Sequence, residues 1–179
     1  MVTLGDILEI PLSDGRKAFG QYVDEIPTLG PLLQVFDLIA DGPVEAARLL
    51  EAGPLFPPIL AAFPAAVERG DWRVIGSLPT DGFSRPKFIS ARYNEKTGRP
   101  AMWFLWDGEQ GLPLGELLPE NARALEYRVV WSPADIVERI ETGQVPFPYG
   151  DLIRNNAFEP RQELKPARKS WFVWRKKGA

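Results

Sequence analysis

The sequence predicts an α+β fold: a strongly twisted, mainly antiparallel sheet or partial barrel that starts with an N-terminal hairpin and carries a few short helices. Three observations predict it. Asp14-Gly15 joins two runs of strand-forming residues, Leu32–Ala40 and Met102–Trp106 are nearly unbroken apolar runs, and the helix-like stretches are short and bracketed by start and stop residues. With 179 residues, 45% of them hydrophobic, the chain is long enough to bury one sizeable core. The expected organisation is one domain over residues 1–145, followed by a Pro-punctuated, basic and aromatic extension over 146–179 that docks on the body.

The first element is the hairpin in Gly5–Val23. Gly15 accepts a positive φ where other residues are strained, so Ser13-Asp14-Gly15-Arg16 is the turn. With Asp14 and Gly15 as its two central residues, Ile10 faces Phe19, Leu8 faces Gln21 and Glu9 faces Gly20; a three-residue turn with a glycine bulge shifts this register by one. Ile7, Pro11, Ala18 and Tyr22 fall on the second face, which points to cover on both sides. Asp24–Pro31 then connects to a strand over Leu32–Ala40 whose unbroken apolar character suits burial on both faces.

Asp41-Gly42-Pro43 stops that strand and starts a helix with Pro43 at its first position, an apolar face of Ala46, Leu49 and Leu50, and a stop at Gly53-Pro54. Leu55–Phe63 carries Pro57 and Pro58, so its second half is the strand, placed at an edge. Pro64–Arg69 reads as a short helix ended by Gly70, and Asp71–Gly76 resumes extended chain with Trp72 as a core anchor. After the turn-rich Leu78–Pro86 comes a second hairpin, Lys87–Asn94 and Arg99–Asp107, with Gly98 in the left-handed position of the turn. Trp103 and Trp106, in a central strand, read as core: a base-stacking platform needs interleaved cations, and acids follow here. Glu126–Trp131 is the last body strand. It leads into a helix with Ser132 as N-cap, Pro133 at the first position, Asp135 closing a capping box, Ile136, Val137 and Ile140 facing inward, and Asp135, Glu138, Arg139 and Glu141 facing water, before Gly143.

Chemistry is narrowed by absences. There is no cysteine and no histidine, which removes disulfides, thiolate and imidazole metal sites, Ser-His-Asp and Cys-His catalysis and the usual near-neutral proton shuttle. No cofactor, metal site or catalytic residue is expected, and no Walker loop, dinucleotide fingerprint or HExxH pattern occurs. The N-terminus has neither a basic n-region nor a long apolar h-region, and no apolar run reaches the roughly 20 residues of a membrane span, so a cytoplasmic protein is expected.

The net charge is only −3, but it is unevenly placed: from Arg161 onward seven cations face one acid, leaving −9 for the rest. An acidic body of this kind can steer a basic protein partner. The candidate contact residues are Asp107 and Glu109, in the most acidic turn, with Glu116 and Glu120 after it. The basic aromatic tail, with Trp171, Trp174, Arg175, Lys176 and Lys177, suggests contact with phosphate or headgroups, or docking on the acidic body. Two further functional classes stay open: an adaptor binding nucleic acid or a membrane surface through that tail, although no specific nucleic-acid partner is expected, and a hydrolase pairing two carboxylates about 5–9.5 Å apart.

Several fragments in fixed order resemble the immunity protein 26 family. They are Gly5-Asp6-Ile7 with Ile10-Pro11-Leu12, Asp14-Gly15-Arg16, Phe19-Gly20-Gln21, then Gly70-Asp71-Trp72-Arg73-Val74-Ile75-Gly76, and Val130-Trp131-Ser132-Pro133 with Val137-Glu138-Arg139-Ile140. The likeness runs over about residues 4–145. It implies a bacterial, non-catalytic inhibitor, made beside the toxin of a polymorphic toxin system and neutralising it by binding. The extension after residue 145 departs from the family pattern.

Overall fold

The computed structural model describes residues 1–145. Ten strands form two sheets. The larger contains β1 (Asp6–Pro11), β2 (Lys17–Ile26), β3 (Gly30–Ala40), β4 (Ile59–Ala61), β5 (Arg73–Ser77) and β10 (Val130–Trp131), in the order β10-β4-β3-β2-β1-β5. The smaller contains β6 (Phe88–Asn94), β7 (Arg99–Trp106), β8 (Gly111–Gly115) and β9 (Glu126–Tyr127), in the order β8-β7-β6-β9. Three short helices, α1 (Ala46–Ala52), α2 (Phe63–Arg69) and α3 (Pro133–Thr142), complete the α+β architecture. Most strand pairs are antiparallel; β4 with β10 and β6 with β9 are parallel. The fold class is the expected one, α+β with mainly antiparallel pairing, and the strands divide between two open sheets.

The N-terminal hairpin is present, in the three-residue register. Ile10 pairs with Ala18, Glu9 with Phe19, Leu8 with Gly20 and Ile7 with Gln21, so the pairing built on a two-residue turn is one position off. The cause is the turn itself. The Leu12 N–H donates to the Arg16 carbonyl at 2.9 Å, enclosing Ser13, Asp14 and Gly15, and Gly15 takes φ 87°. Both faces of the hairpin are covered. Leu8, Ile10, Ala18, Leu33, Trp72, Trp131 and Ile136 form the main core beneath α2 and α3. Ile7, Phe19, Phe36 and Leu49 pack on the other face under α1.

Several local expectations shift. The connector after the hairpin is short: β2 runs to Ile26 and β3 begins at Gly30, leaving Pro27, Thr28 and Leu29 as the turn. Helix α1 starts at Ala46 rather than at Pro43, and of its presumed apolar face only Leu49 is buried, with Leu50 64% exposed. Strand β4 is not an edge, because β10 pairs along its other side. The presumed single strand Glu126–Trp131 is broken: Glu126–Tyr127 pairs with β6, whereas Val130–Trp131 pairs with β4. That break carries the chain from the small sheet to the large one. Strand β8 has no counterpart among the elements expected from sequence, its Gly-Leu-Pro-Leu-Gly composition being poor in strand formers.

Helix α3 matches its expected start. The Ser132 hydroxyl accepts from the Asp135 N–H and Asp135 accepts from the Ser132 N–H, completing the capping box. Arg139, however, faces inward rather than to water. Its guanidinium donates twice to Glu126, at 2.7 and 2.9 Å, and lies 4.0 Å over the Phe56 ring. The two sheets meet through Val23, Ile26, Leu32 and Leu60 of the large sheet against Phe88 and Trp106 of the small one. Trp103 and Trp106 are core residues, as expected, at 0% and 6% exposure.

Candidate functional site

The acidic turn Asp107–Gln110 closes the β7–β8 hairpin, whose last rung pairs Trp106 with Gly111. Asp107 organises it: its Oδ1 accepts the N–H groups of Glu109 at 3.1 Å and Gln110 at 3.0 Å. The Gln110 and Glu109 amides, in that order, hold the Asp107 carboxyl below the usual carboxylate range. Asp107 is therefore an ionised residue whose first task is to fold its own turn. The Glu109 side chain projects from that turn and is exposed.

The four sequence-predicted acids do not converge. Asp107 and Glu109 lie at one end of β8, whereas Glu116 follows its last residue, paired near Trp103, and Glu120 begins a 3-10 turn (Glu120–Ala122). Five residues of strand separate the pairs, roughly 16 Å at the usual rise. All four residues are exposed. They mark two ends of one hairpin edge rather than a cleft. The tail residues Trp171, Trp174, Arg175, Lys176 and Lys177 lie outside the described residues.

Beside Glu109 the two sheets leave an open groove of about 570 Å³. Pro27, Thr28 and Leu29 of the β2–β3 turn form one wall, and Trp106, Gly108 and Glu109 the other, with Arg85 and Arg128 reaching in. Arg85 is fixed: its Nε donates to Asp24 Oδ2 at 2.7 Å, and that bond, together with the charges of Asp24 and Glu109, raises its pKa further. Gly108 makes room for it, since a Cβ there would stand 3.2 Å from Arg85 Cδ, and its φ of 114° suits glycine alone. Arg128 follows β9 at the crossover between the sheets and sits 5.9 Å from the centre of the Trp106 ring. Neither arginine stood out in the sequence. Arg85 lies in a Ser-Arg-Pro connector and Arg128 in the strand-like run Glu126–Trp131, and only the two-sheet topology brings them together.

A second hollow of about 260 Å³, lined by Tyr22, Glu25, Pro31, Pro64, Val67 and Glu68 among others, has two carboxylates in its lining. They are not those singled out by sequence, and Glu25 is engaged as acceptor for the Tyr22 hydroxyl. Burial, then the hydrogen bond to Glu25 and its charge push the Tyr22 pKa far above its ordinary value, so the phenol remains a donor. Among the described residues no group of three or more His, Cys, Asp or Glu is placed to hold a metal ion, and no helix is long and apolar enough to cross a membrane.

The sequence fragments noted above have structural reasons to be where they are. Gly5 takes φ 93° and donates to the Tyr22 carbonyl while its own carbonyl accepts from Leu78; a Cβ would stand 2.7 Å from the Leu78 oxygen. The Asp6 carboxylate caps the Thr3 N–H at 2.8 Å. Gly70 ends α2 in the left-handed conformation and Trp72, 3% exposed, plugs the main core. No curated protein and no solved structure matches the chain. The family model of immunity protein 26 matches residues 3–97, more than half of the chain, which takes in the N-terminal hairpin and the Gly70–Gly76 fragment but stops short of the Val130–Ile140 fragments. The chain belongs to the immunity protein 26 family.

Proposed function

We propose that this immunity protein neutralises a cognate bacterial toxin by binding it stoichiometrically in the cytoplasm and occluding its working surface, with no catalytic step of its own. Family membership over residues 3–97 is the observation that carries this reading. Charge supports it: residues 1–145 hold 21 acidic and 13 basic residues, a net −8, which favours a toxin with a basic surface. In this reading Asp107, Glu109, Glu116 and Glu120 are part of the contact, spaced along the β7–β8 hairpin so that two separate basic groups of the toxin meet its two ends.

The test is a protection assay with the toxin encoded beside the gene. Reversing the two pairs separately, D107K/E109K and E116K/E120K, is expected to weaken protection and slow association, and the wild-type association rate is expected to fall as salt rises. Full protection by both double variants at limiting inhibitor would remove this edge from the interface.

A further inference from the structure

We propose that the groove between the β2–β3 and β7–β8 turns is a receptor for one carboxylate side chain of the protein partner, gripped by Arg128; this rests on the toxin-binding reading and assigns a polarity to its contact surface.

Arg128 is the first observation. It is half-buried, its backbone N–H is fixed to the Ile89 carbonyl at 2.7 Å, and its guanidinium is held at the Trp106 ring. Arg16, Arg69, Arg73, Arg85 and Arg139 each have a carboxylate within 3 Å. Arg128 has no such partner among the described residues, and whereas Arg48, Arg92 and Arg99, which also lack one, are exposed, Arg128 is partly withdrawn from water. A guanidinium partly withdrawn from water and pinned against an aromatic ring presents a planar fork that takes a carboxylate through two parallel hydrogen bonds.

The rest of the groove selects how that carboxylate is delivered. Arg85 is neutralised by Asp24 and fixed in place by the space at Gly108, so it shapes the wall more than it attracts. Glu109 lines the same groove as an exposed acid. A free small anion is repelled by the −8 body, whereas an acidic side chain with a basic neighbour satisfies Arg128 and Glu109 together. Thr28, on the facing wall, takes φ 71° at the centre of the tight turn that joins β2 and β3 and is closed by the Leu29 N–H on the Ile26 carbonyl, which sets the position of that wall. The volume suffices for one partner side chain with its flanking chain.

The experiment titrates full-length ¹⁵N-labelled protein with N-acetyl-Glu-Lys-amide, following the Arg128 Nε–Hε and Trp106 indole resonances, with N-acetyl-Gln-Lys-amide and inorganic phosphate as controls. Saturable shifts with a Kd of about a few millimolar, absent with the Gln peptide and weakened at least about tenfold in R128Q, are expected. R128K, which keeps the charge and loses the fork, is expected to fall between the two and serves if R128Q unfolds. Equal response to the Gln peptide, tighter binding of phosphate than of the Glu peptide, or a gain in affinity on neutralising the chain's own Asp151, Glu159 and Glu163 to amides would each overturn the proposal. Because no toxin is present, this outcome is independent of the protection assay. A loss of toxin protection without peptide binding, or the reverse, tells the two readings apart.

Discussion

Arg139 gives the sharpest test of how this structure is held together. Its side chain is 9% exposed and that of Glu126 10%, and two hydrogen bonds of 2.7 and 2.9 Å make the pair bidentate. The guanidinium also stacks 4.0 Å over Phe56 and lies 5.7 Å from the Trp131 ring. Replacing Glu126 with Gln leaves a buried cation without its counter-charge, which costs about 3–5 kcal/mol in such settings. Replacing Arg139 with Met strands the carboxylate instead and adds the loss of stacking, about 1–2 kcal/mol, partly returned by the thioether's packing. With a urea slope of about 2 kcal/mol per molar, a 3 kcal/mol loss moves the unfolding midpoint down by about 1.5 M. The double variant E126M/R139M removes both charges together. It is therefore expected to be more stable than either single variant, the reverse of additivity. Equilibrium urea unfolding of the four proteins decides it. A midpoint shift under about 0.5 M for E126Q, or a double variant as weak as the sum of the singles, would refute the account of a desolvated pair bridging α3 and β9.

Other perturbations have equally definite outcomes. Ser132→Ala removes one half of the α3 capping box and should lower stability by about 1 kcal/mol, read as a shift in urea midpoint. Gly5→Ala should cost at least about 2 kcal/mol, because the new Cβ meets the Leu78 carbonyl oxygen at 2.7 Å in a backbone held at φ 93°; thermal unfolding checks it. Glu9 links Lys17 at 2.9 Å and Arg73 at 2.7 Å; burial works to raise its pKa, but the two cations more than offset this and leave it below the usual carboxylate value. A carboxylate depressed on folding adds stability that is complete above its unfolded pKa and is lost as pH falls through the folded one. Stability should therefore decline below about pH 4.5, and Glu9→Gln should flatten that decline while costing about 1–2 kcal/mol at pH 7, both seen in denaturation at graded pH.

The parts of the fold legible in the sequence are those that local chemistry dictates. Ser132-Pro133 and Asp135 set the start of α3, Gly70 sets the end of α2, and the unbroken apolar run at Met102–Trp106 correctly marks a central strand. The hairpin register was not decidable, because Ser-Asp-Gly serves a two-residue turn and a bulged three-residue turn about equally well, and the choice flips every side chain. Arg139 illustrates a different limit. Helical periodicity puts it beside Glu138 and Glu141 on the polar side, but its partner is 13 residues away on β9, a strand assigned in the sequence to one continuous segment with β10. Once that segment divides between the sheets, Glu126 faces α3 and draws Arg139 inward.

The same division explains why the acidic turn could be named from the sequence and the groove beside it could not. Asp107-Gly108-Glu109 is contiguous and its composition announces a solvated turn. The groove is assembled from Pro27–Leu29, Arg85, Trp106 and Arg128, which meet only because Val23, Ile26 and Leu32 pack against Phe88 and Trp106 across the two sheets. The residues up to Arg85 lie inside the family match and Trp106, Glu109 and Arg128 beyond it, so each wall has a separate sequence origin. Loosening the packing between sheets should then cost stability and groove binding together, whereas charge changes at Glu109 or Arg128 should cost binding while leaving the fold intact. A variant such as Phe88→Leu therefore separates a pre-formed groove from one moulded by the partner. Peptide binding that falls in step with stability means the walls must already be in place, and binding that survives the loosening means the partner draws them together.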